Sequence, residues 1–137
     1  MAATDGTIVA LDVGAARVGV ALASTAARLA HPSGALKRDA TTISELQKLC
    51  RREGAVQIVV GLPRGLSGQE TPQTAAVRAF GEELAKALPL PLHWQDEAVT
   101  SVQAEAELRT RGKPYTKGDI DALAAAYILE DYLHDHL

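Results

Sequence analysis

The most constraining feature of this sequence is the apolar run VQIVVGL at residues 56–62. A strand that is apolar on both faces is typical of a sheet covered by helices on both sides. Apolar residues at helical spacing precede this run from Thr42 and follow it from Thr71. Strands joined through helices favour parallel pairing with right-handed crossovers. The pattern therefore predicts an α/β fold in which this strand is buried within the sheet.

The beginning of the chain adds a second constraint, the stretch IVALDVGAARVGVAL. Its apolar residues predict two strands at 7–13 and 17–24, joined by a turn of small residues. Strands joined by so short a turn pair antiparallel. A third strand at 29–37 is predicted from a weaker pattern, because Pro32 and Gly34 interrupt it.

Four helices are predicted, and each opens at a threonine: Thr42, Thr71, Thr100 and Thr116. The first threonine is expected to form a capping box with Glu45, and Gly54 is expected to end that helix. Asp119 is expected to cap the last helix. With a final strand at 92–97, the prediction is a mixed five-stranded sheet flanked by helices, in a single domain over residues 1–137.

Composition excludes several classes of protein. Hydrophobic residues make up 47% of the 137 residues and charged residues 23%, which is typical of a globular chain. The single cysteine, Cys50, excludes an internal disulfide. The sequence has no apolar run of about 20 residues and does not open with a secretory signal, so we expect a cytoplasmic protein with no membrane association. The net charge of −3 weakly disfavours nucleic-acid binding, although a local basic patch decides such binding.

Three acidic residues lie at the ends of strands predicted to be central. Asp12 ends the first strand, and Asp96 and Glu97 end the last one. Functional groups in α/β sheets gather at the carboxyl ends of parallel strands. Because neighbouring strand residues face opposite sides, only one of Asp96 and Glu97 is expected to point the same way as Asp12. The pattern does not choose between them, and it also allows Asp12 to cap the turn or to pair with Arg17.

The last predicted helix contributes two more acids. Asp119 has a simple role in capping the first turn. Asp121 lies about 200° around the helix from Asp119, on the side that carries Ala124 and Ala125 and should face the sheet. Carboxylates converging there would repel one another without a cation, and all-oxygen ligands suit Mg²⁺ or Mn²⁺. Two such ions can support phosphodiester hydrolysis. A partly exposed helix charge is the simpler role for Asp121.

Four blocks of the sequence match the signature blocks of one family, in the same order and over nearly the whole chain. They are IVALDVGAARVGVALAS, VVGLPRGLSGQETPQT, DEAVTSVQAE and DIDALAAAYIL. In these blocks the chain resembles the YqgF/RuvX family, which has an RNase H-like fold, is similar to Holliday junction resolvases and includes proteins described as pre-16S rRNA nucleases. The resemblance implies a metal-dependent endonuclease that acts on branched DNA, precursor rRNA or both. It also implies Mg²⁺ or Mn²⁺ as cofactor and a homodimer as the assembly.

The resemblance assigns three catalytic and metal-binding acids. Asp12 matches the acid of the first strand, Glu97 matches the glutamate of the family's Asp-Glu-Arg-x-Thr-Thr block, and Asp121 matches the acid that opens the final Asp-x-x-Ala-Ala helix. Of the two acids at the end of the last strand, the resemblance therefore selects the glutamate. Ala98 replaces the family's arginine, and Ser101 replaces its second threonine. The change at Ala98 keeps open an alternative, a nucleic-acid-binding protein with a weakened or lost catalytic site.

Eight residues are predicted to contact the nucleic acid: Arg17, Arg64, Thr100, Ser101, Arg111, Lys113, Tyr115 and Lys117. The segment RTRGKPYTK at 109–117 holds four basic residues and one tyrosine, which favours phosphate contacts with a stacked base. The glycine-rich loop around Arg64 and the predicted start of the third helix are candidate anion sites. Each candidate also has a simpler role, as a solvated loop, as a helix cap or, for Arg17, as a salt bridge to Asp12.

One other class of enzyme shares the pattern of the first strand. Actin-like and sugar-kinase ATPases also carry an aspartate and a glycine turn there. Such enzymes enclose a nucleotide between two domains, whereas a single domain is predicted here. The sequence therefore favours the nuclease.

Overall fold

A computed structural model of the chain describes residues 5–97 and 100–136. Five strands form one sheet: β1 (Thr7–Val13), β2 (Arg17–Ser24), β3 (His31–Lys37), β4 (Ala55–Pro63) and β5 (Leu92–Glu97). Four helices pack on it: α1 (Thr42–Glu53), α2 (Pro72–Ala87), α3 (Thr100–Thr110) and α4 (Lys117–Asp135). The predicted mixed five-stranded sheet flanked by helices is confirmed. Within the two described ranges, no helix has the length and apolar character needed to cross a membrane.

The strand order is β3-β2-β1-β4-β5, which places β1 at the centre of the sheet. β1 pairs antiparallel with β2 and parallel with β4, and β4 pairs parallel with β5. The carboxyl ends of β1, β4 and β5 therefore share one edge, where functional groups of α/β sheets gather. β3 is an edge strand that begins two residues later than predicted, at His31.

Different helices cover the two faces of the sheet, and the alternation along β1 shows which residues face which helices. Val9 and Leu11 pack in a core with residues of α1 and α2, whereas Ile8 and Ala10 pack in a core with residues of α3 and α4. None of these four residues is more than 3% exposed. Burying a leucine or valine side chain contributes roughly 1.5–3 kcal/mol to stability. Asp12 continues the second series, so the alternation turns it toward α3 and α4.

Helix α4 starts as the sequence predicts. The N–H of Asp119 donates to the hydroxyl of Thr116 at 3.1 Å, and the N–H of Thr116 donates to the carboxylate of Asp119 at 2.9 Å. Thr71 forms a similar reciprocal pair with Thr74 at the start of α2. Gly54 ends α1 as predicted, in the left-handed conformation with φ of 65°, which glycine adopts without steric cost.

The start of α1 differs from the prediction in one respect. The helix begins at Thr42, as expected, but the predicted capping box between Thr42 and Glu45 is wrong. Thr42 is only 2% exposed, and its hydroxyl accepts a hydrogen bond from the N–H of Asp39 at 2.8 Å and donates to the carbonyl of Lys37 at 2.9 Å. The hydroxyl is therefore used to join the end of β3 to the helix.

Candidate active site

Asp12 lies on β1 directly opposite Gly19 of β2. At this point the backbone of α4 comes so close that a Cβ atom on Gly19 would lie 2.0 Å from the carbonyl oxygen of Asp121. A side chain larger than hydrogen does not fit there unless the helix moves. The close approach brings Asp121 over the same part of the sheet as Asp12.

Replacing Gly19 with alanine is expected to push α4 away from β2 and to lower the free energy of unfolding by about 2 kcal/mol or more, because the obstructing atoms belong to backbone. Urea denaturation measures this free energy. Gly118→Ala is the matched control, since a Cβ atom there would meet Ala35 at 3.5 Å, an ordinary contact. Equal stability of the two variants would contradict the tight packing at Gly19.

The carboxylate of Asp121 acts on the ionisation of Asp12. Burial and, to a smaller extent, the negative charge of Asp121 together raise the pKa of Asp12 to about 6. Asp121 has a cationic partner, because Nε of Arg17 donates to its Oδ2 at 2.5 Å. Arg17 therefore pairs with Asp121 and not with Asp12, which the sequence allowed as its salt-bridge partner.

Glu97 ends β5, on the same face of the sheet as Asp12. Burial is the largest of the causes that together raise the pKa of Glu97 to about 8, followed by the neighbouring carboxyl of Asp131 and by smaller contributions from the charges of Asp135 and Asp12. Its Oε1 atom is buried and has no hydrogen-bond partner in the part of the chain that the structure describes. An ionised carboxylate oxygen buried in this way is unfavourable, so Glu97 needs either a proton or a cation.

Asp96 makes its contact elsewhere, away from Asp12. It accepts a hydrogen bond from Nε of Arg64 at 3.2 Å, and Nη1 of Arg64 also lies 3.4 Å from a carboxylate oxygen of Glu70. The N–H of Arg64 donates to the carbonyl oxygen of Glu97 at 3.1 Å. Of the two acids that the alternation left open, Glu97 is the one whose charge interacts with Asp12. Arg64 lies beside the site, with its guanidinium held in ion pairs.

Asp131 is a neighbour of this site that the sequence reasoning missed. It lies on α4 ten residues after Asp121, which at 3.6 residues per turn places the two within about 80° of each other around the helix. That spacing, together with Asp135 four residues further on, is the signal that identifies it. Gln95 of β5 donates to Asp135 at 3.0 Å, which ties the end of α4 to the edge of the sheet.

The acids form two interacting pairs, Asp12 with Asp121 and Glu97 with Asp131. Within residues 5–97 and 100–136, no three His, Cys, Asp or Glu side chains lie close enough together to hold one metal ion. The chemistry of the donors nevertheless fits a hard divalent cation, because all are carboxylates and the buried Oε1 of Glu97 has no hydrogen-bond partner among the described residues. The site therefore supplies suitable donors, in an arrangement more open than a compact triad.

Six of the eight predicted substrate contacts line two cavities. One, of about 450 Å³, is lined by Asp121 together with three of them: Arg17, Ser101 and Lys117. A second, of about 320 Å³, is lined by three others: Arg111, Lys113 and Tyr115. Thr100 is the first residue of α3, and its side chain lies outside the described part of the structure, as does Ala98.

Two solved structures have the same overall arrangement of strands and helices. RuvC from T. thermophilus, in complex with a Holliday junction substrate, superposes with a TM-score of 0.54 over 95% of each chain, at 16% identity. The fowlpox virus resolvase, in complex with Holliday junction DNA, superposes with a TM-score of 0.51 over 96% of this chain and 99% of that one, at 14% identity. The fold is therefore RNase H-like, of the kind found in these resolvases.

Sequence comparison identifies the family within this fold class. The model of the RuvX family, described as Holliday junction resolvase, matches residues 6–135. A relative from Chloroflexus aurantiacus is 41% identical over 133 residues, which cover 94% of this chain and 87% of the relative. One from Moorella thermoacetica is 40% identical over 133 residues, which cover 92% and 93%. Both carry the name "Putative pre-16S rRNA nuclease". The chain belongs to the RuvX family, which confirms the resemblance seen in its sequence blocks.

Proposed function

We propose that this protein is a metal-dependent endonuclease that hydrolyses phosphodiester bonds in structured nucleic acid. The observation that carries the proposal is the buried Oε1 of Glu97, which has no partner among the described residues and shares a face of the sheet with Asp12. The family description and the names of the relatives support a nuclease. They favour two substrates, the Holliday junction and pre-16S rRNA. We propose the 5′ end of the pre-16S rRNA as the region that is cleaved.

In this proposal Asp12, Glu97 and Asp121 hold Mg²⁺ or Mn²⁺. When bound, two such ions would supply an activated water and stabilise the leaving oxygen. The raised pKa values of Asp12 and Glu97 support the assignment, since carboxyls that resist ionisation in the bare protein gain most from a bound cation. Asp131 lies beside Glu97, and its proposed role is to orient the carboxyl group of Glu97.

The basic residues near Asp121 are proposed to bind the phosphates on either side of the scissile bond. Arg17 and Lys117 line one cavity with Asp121, and Ser101 contributes a hydroxyl to the same wall. A guanidinium binds phosphate with two parallel hydrogen bonds. Arg17 would therefore release the carboxylate of Asp121 when a phosphate enters, leaving that carboxylate available as a ligand.

The test compares Glu97→Gln with Asp96→Asn, two neighbouring acids of which only the first faces Asp12. Cleavage of a four-way DNA junction and of precursor rRNA is measured with Mg²⁺ and with Mn²⁺. We expect Glu97→Gln to lower the cleavage rate at least about a hundredfold. Removing a group that only hydrogen-bonds to a metal ligand already costs about 10–100-fold, and Glu97 is proposed to be a ligand itself. Asp96→Asn should retain most of the activity. Equal losses in the two variants would overturn the role given to Glu97.

A nucleic-acid-binding protein with a weakened catalytic site is the second candidate. The open arrangement of the acids favours it, because no three of the described donors reach one ion. Ala98, in place of the family's arginine, favours it as well. This candidate predicts tight junction binding in EDTA and no cleavage in Mn²⁺. The same cleavage assay separates the two candidates.

The resemblance also leads us to propose a homodimer that works in the cytoplasm, where precursor rRNA is found. A four-way junction has two-fold symmetry, and a symmetric dimer would present one site to each of two equivalent strands. Sedimentation of the protein with and without junction DNA measures its oligomeric state.

A further inference from the structure

Three cavities join into one groove that begins at Asp121. The first contains Asp121 and Arg17, and Arg17 also lines the second, which follows β3 and has a volume of about 520 Å³. The second and third cavities share Gly34 of β3 and Asp119 of α4. We call this path the edge groove, and we call its last cavity, between β3 and the loop that joins α3 to α4, the terminal pocket.

The edge groove is predominantly basic. Five cationic residues line it: Arg17, Lys37, Arg111, Lys113 and Lys117. Its three acids are Asp121, Glu105 and Asp119, and all take part in contacts within the protein. Asp121 pairs with Arg17. Glu105 accepts a hydrogen bond from the hydroxyl of Tyr115 at 3.2 Å, and Asp119 accepts one from the N–H of Thr116 at 2.9 Å. The excess of positive charge fits the phosphates of a nucleic-acid strand and disfavours an acidic peptide.

The terminal pocket differs from the rest of the groove because the aromatic ring of Tyr115 is among its lining residues. Its apolar walls are formed by this ring together with Pro32, Leu108, Pro114 and Leu123. Arg111 and Lys113 also line it, and Arg111 is held by an ion pair with Glu107. The hydrogen bond from Tyr115 to Glu105 fixes the position of the tyrosine ring. Apolar walls, one ring and two cations match the chemistry of a nucleotide, a flat base joined to a phosphate.

We propose that the terminal pocket binds one unpaired nucleotide of the substrate, with its base against Tyr115 and its phosphate between Arg111 and Lys113. This inference rests on the proposed nuclease function and adds a substrate feature to it, a nucleotide displaced from the duplex at the end of the edge groove that lies away from Asp121. Asp119 also lines the pocket, and we infer that its carboxylate would accept a hydrogen bond from an exocyclic amino group of the base. The pocket should therefore prefer cytosine to uracil.

The experiment measures binding in EDTA, so that no cleavage occurs. The probes are a short duplex with one unpaired cytosine, the same duplex with an unpaired uracil, and the fully paired duplex. The variants are Tyr115→Leu, which keeps apolar volume but removes the ring, and Tyr115→Phe, which keeps the ring but loses the bond to Glu105. A probe carrying 5-iodocytosine at the unpaired position is irradiated, and the cross-linked peptide is identified by mass spectrometry.

We expect Tyr115→Leu to lower affinity for the unpaired-cytosine probe about tenfold, while Tyr115→Phe stays within about twofold of the wild type. Neither change should affect the fully paired duplex. The cross-link should fall in the peptide containing Tyr115, and Asp119→Asn should reduce the preference for cytosine. Equal weakening on all probes, or a cross-link elsewhere in the chain, would overturn the pocket while leaving the nuclease proposal intact. A wild-type protein that binds a four-way junction but none of these probes would also overturn the pocket alone, whereas failure to bind the junction as well would overturn both proposals.

Discussion

Asp12→Asn is expected to reduce phosphodiester cleavage by about a thousandfold or more. A divalent ion at this position would stabilise the negative charge of the transition state by several kcal/mol, and about 4 kcal/mol corresponds to a factor of a thousand in rate. Asparagine keeps the size of the side chain but removes the charge that holds the cation. The measurement is single-turnover cleavage of junction DNA and of precursor rRNA with Mn²⁺ or Mg²⁺.

The same substitution should make the metal-free protein more stable, which distinguishes a lost ligand from a damaged fold. Because burial and Asp121 raise the pKa of Asp12 to about 6, the ionised carboxylate destabilises the native state at pH 8. Removing that charge should raise the free energy of unfolding in EDTA by about 1–2 kcal/mol, part of the gain being offset because a buried amide also needs hydrogen bonds. Glu83→Gln, on the exposed side of α2, is the control that should change neither quantity. An Asp12→Asn protein that folds and still cleaves at the wild-type rate would exclude Asp12 from catalysis.

The metal-free protein should lose stability as the pH rises from about 4.5 to about 8. In the unfolded chain Glu97 ionises near its ordinary pKa of 4.5, whereas in the folded protein burial and the nearby acids raise that pKa to about 8. Between these values the unfolded state releases the proton more readily, so each step up in pH favours unfolding. Glu97 is only about half buried, so solvent screening keeps the loss below the value that the shift alone would give.

Urea denaturation in EDTA across this pH range measures the effect, and Glu97→Gln isolates it. The difference in stability between the variant and the wild type should be near zero at the acid end and should widen toward pH 8. Adding Mn²⁺ at pH 8 should restore stability to the wild type, by about 2.7 kcal/mol when the metal is present at a hundred times its dissociation constant. A stability difference that does not change with pH would show that Glu97 ionises normally in the folded protein.

The sequence could predict that only one of Asp96 and Glu97 shares a face with Asp12, because side-chain alternation is a local property with a period of two. The choice of Glu97 comes from the family resemblance and not from the alternation. The partner of Arg17 could not be predicted in the same way. It depends on where α4 lies across the sheet, and the close contact at Gly19 decides that. No local pattern reports a contact between residues 104 positions apart.

The remaining differences also arise from long-range packing. Thr42 has the spacing of a capping residue, but burial at the end of β3 gives its hydroxyl other partners. Arg64 lies between a strand and a glycine-rich loop, which is the pattern expected of an anion site. In the structure its guanidinium instead forms ion pairs with Asp96 and Glu70. Helical periodicity could have predicted that Asp131 lies on nearly the same side of α4 as Asp121. Its place beside Glu97 could not be predicted, because it depends on the position of β5 relative to α4.

Helix α4 packs against every strand of the sheet, and it carries Asp121 near its beginning and Asp131 ten residues later. These two acids are therefore separated by about 15 Å along a rigid rod. Inserting or deleting one residue between them would rotate everything beyond by about 100° and would remove one acid from its pair. Over evolution, relatives that retain both pairs should differ in this helix by substitution and not by length, and changes of length should collect in loops outside the acidic site and the terminal pocket.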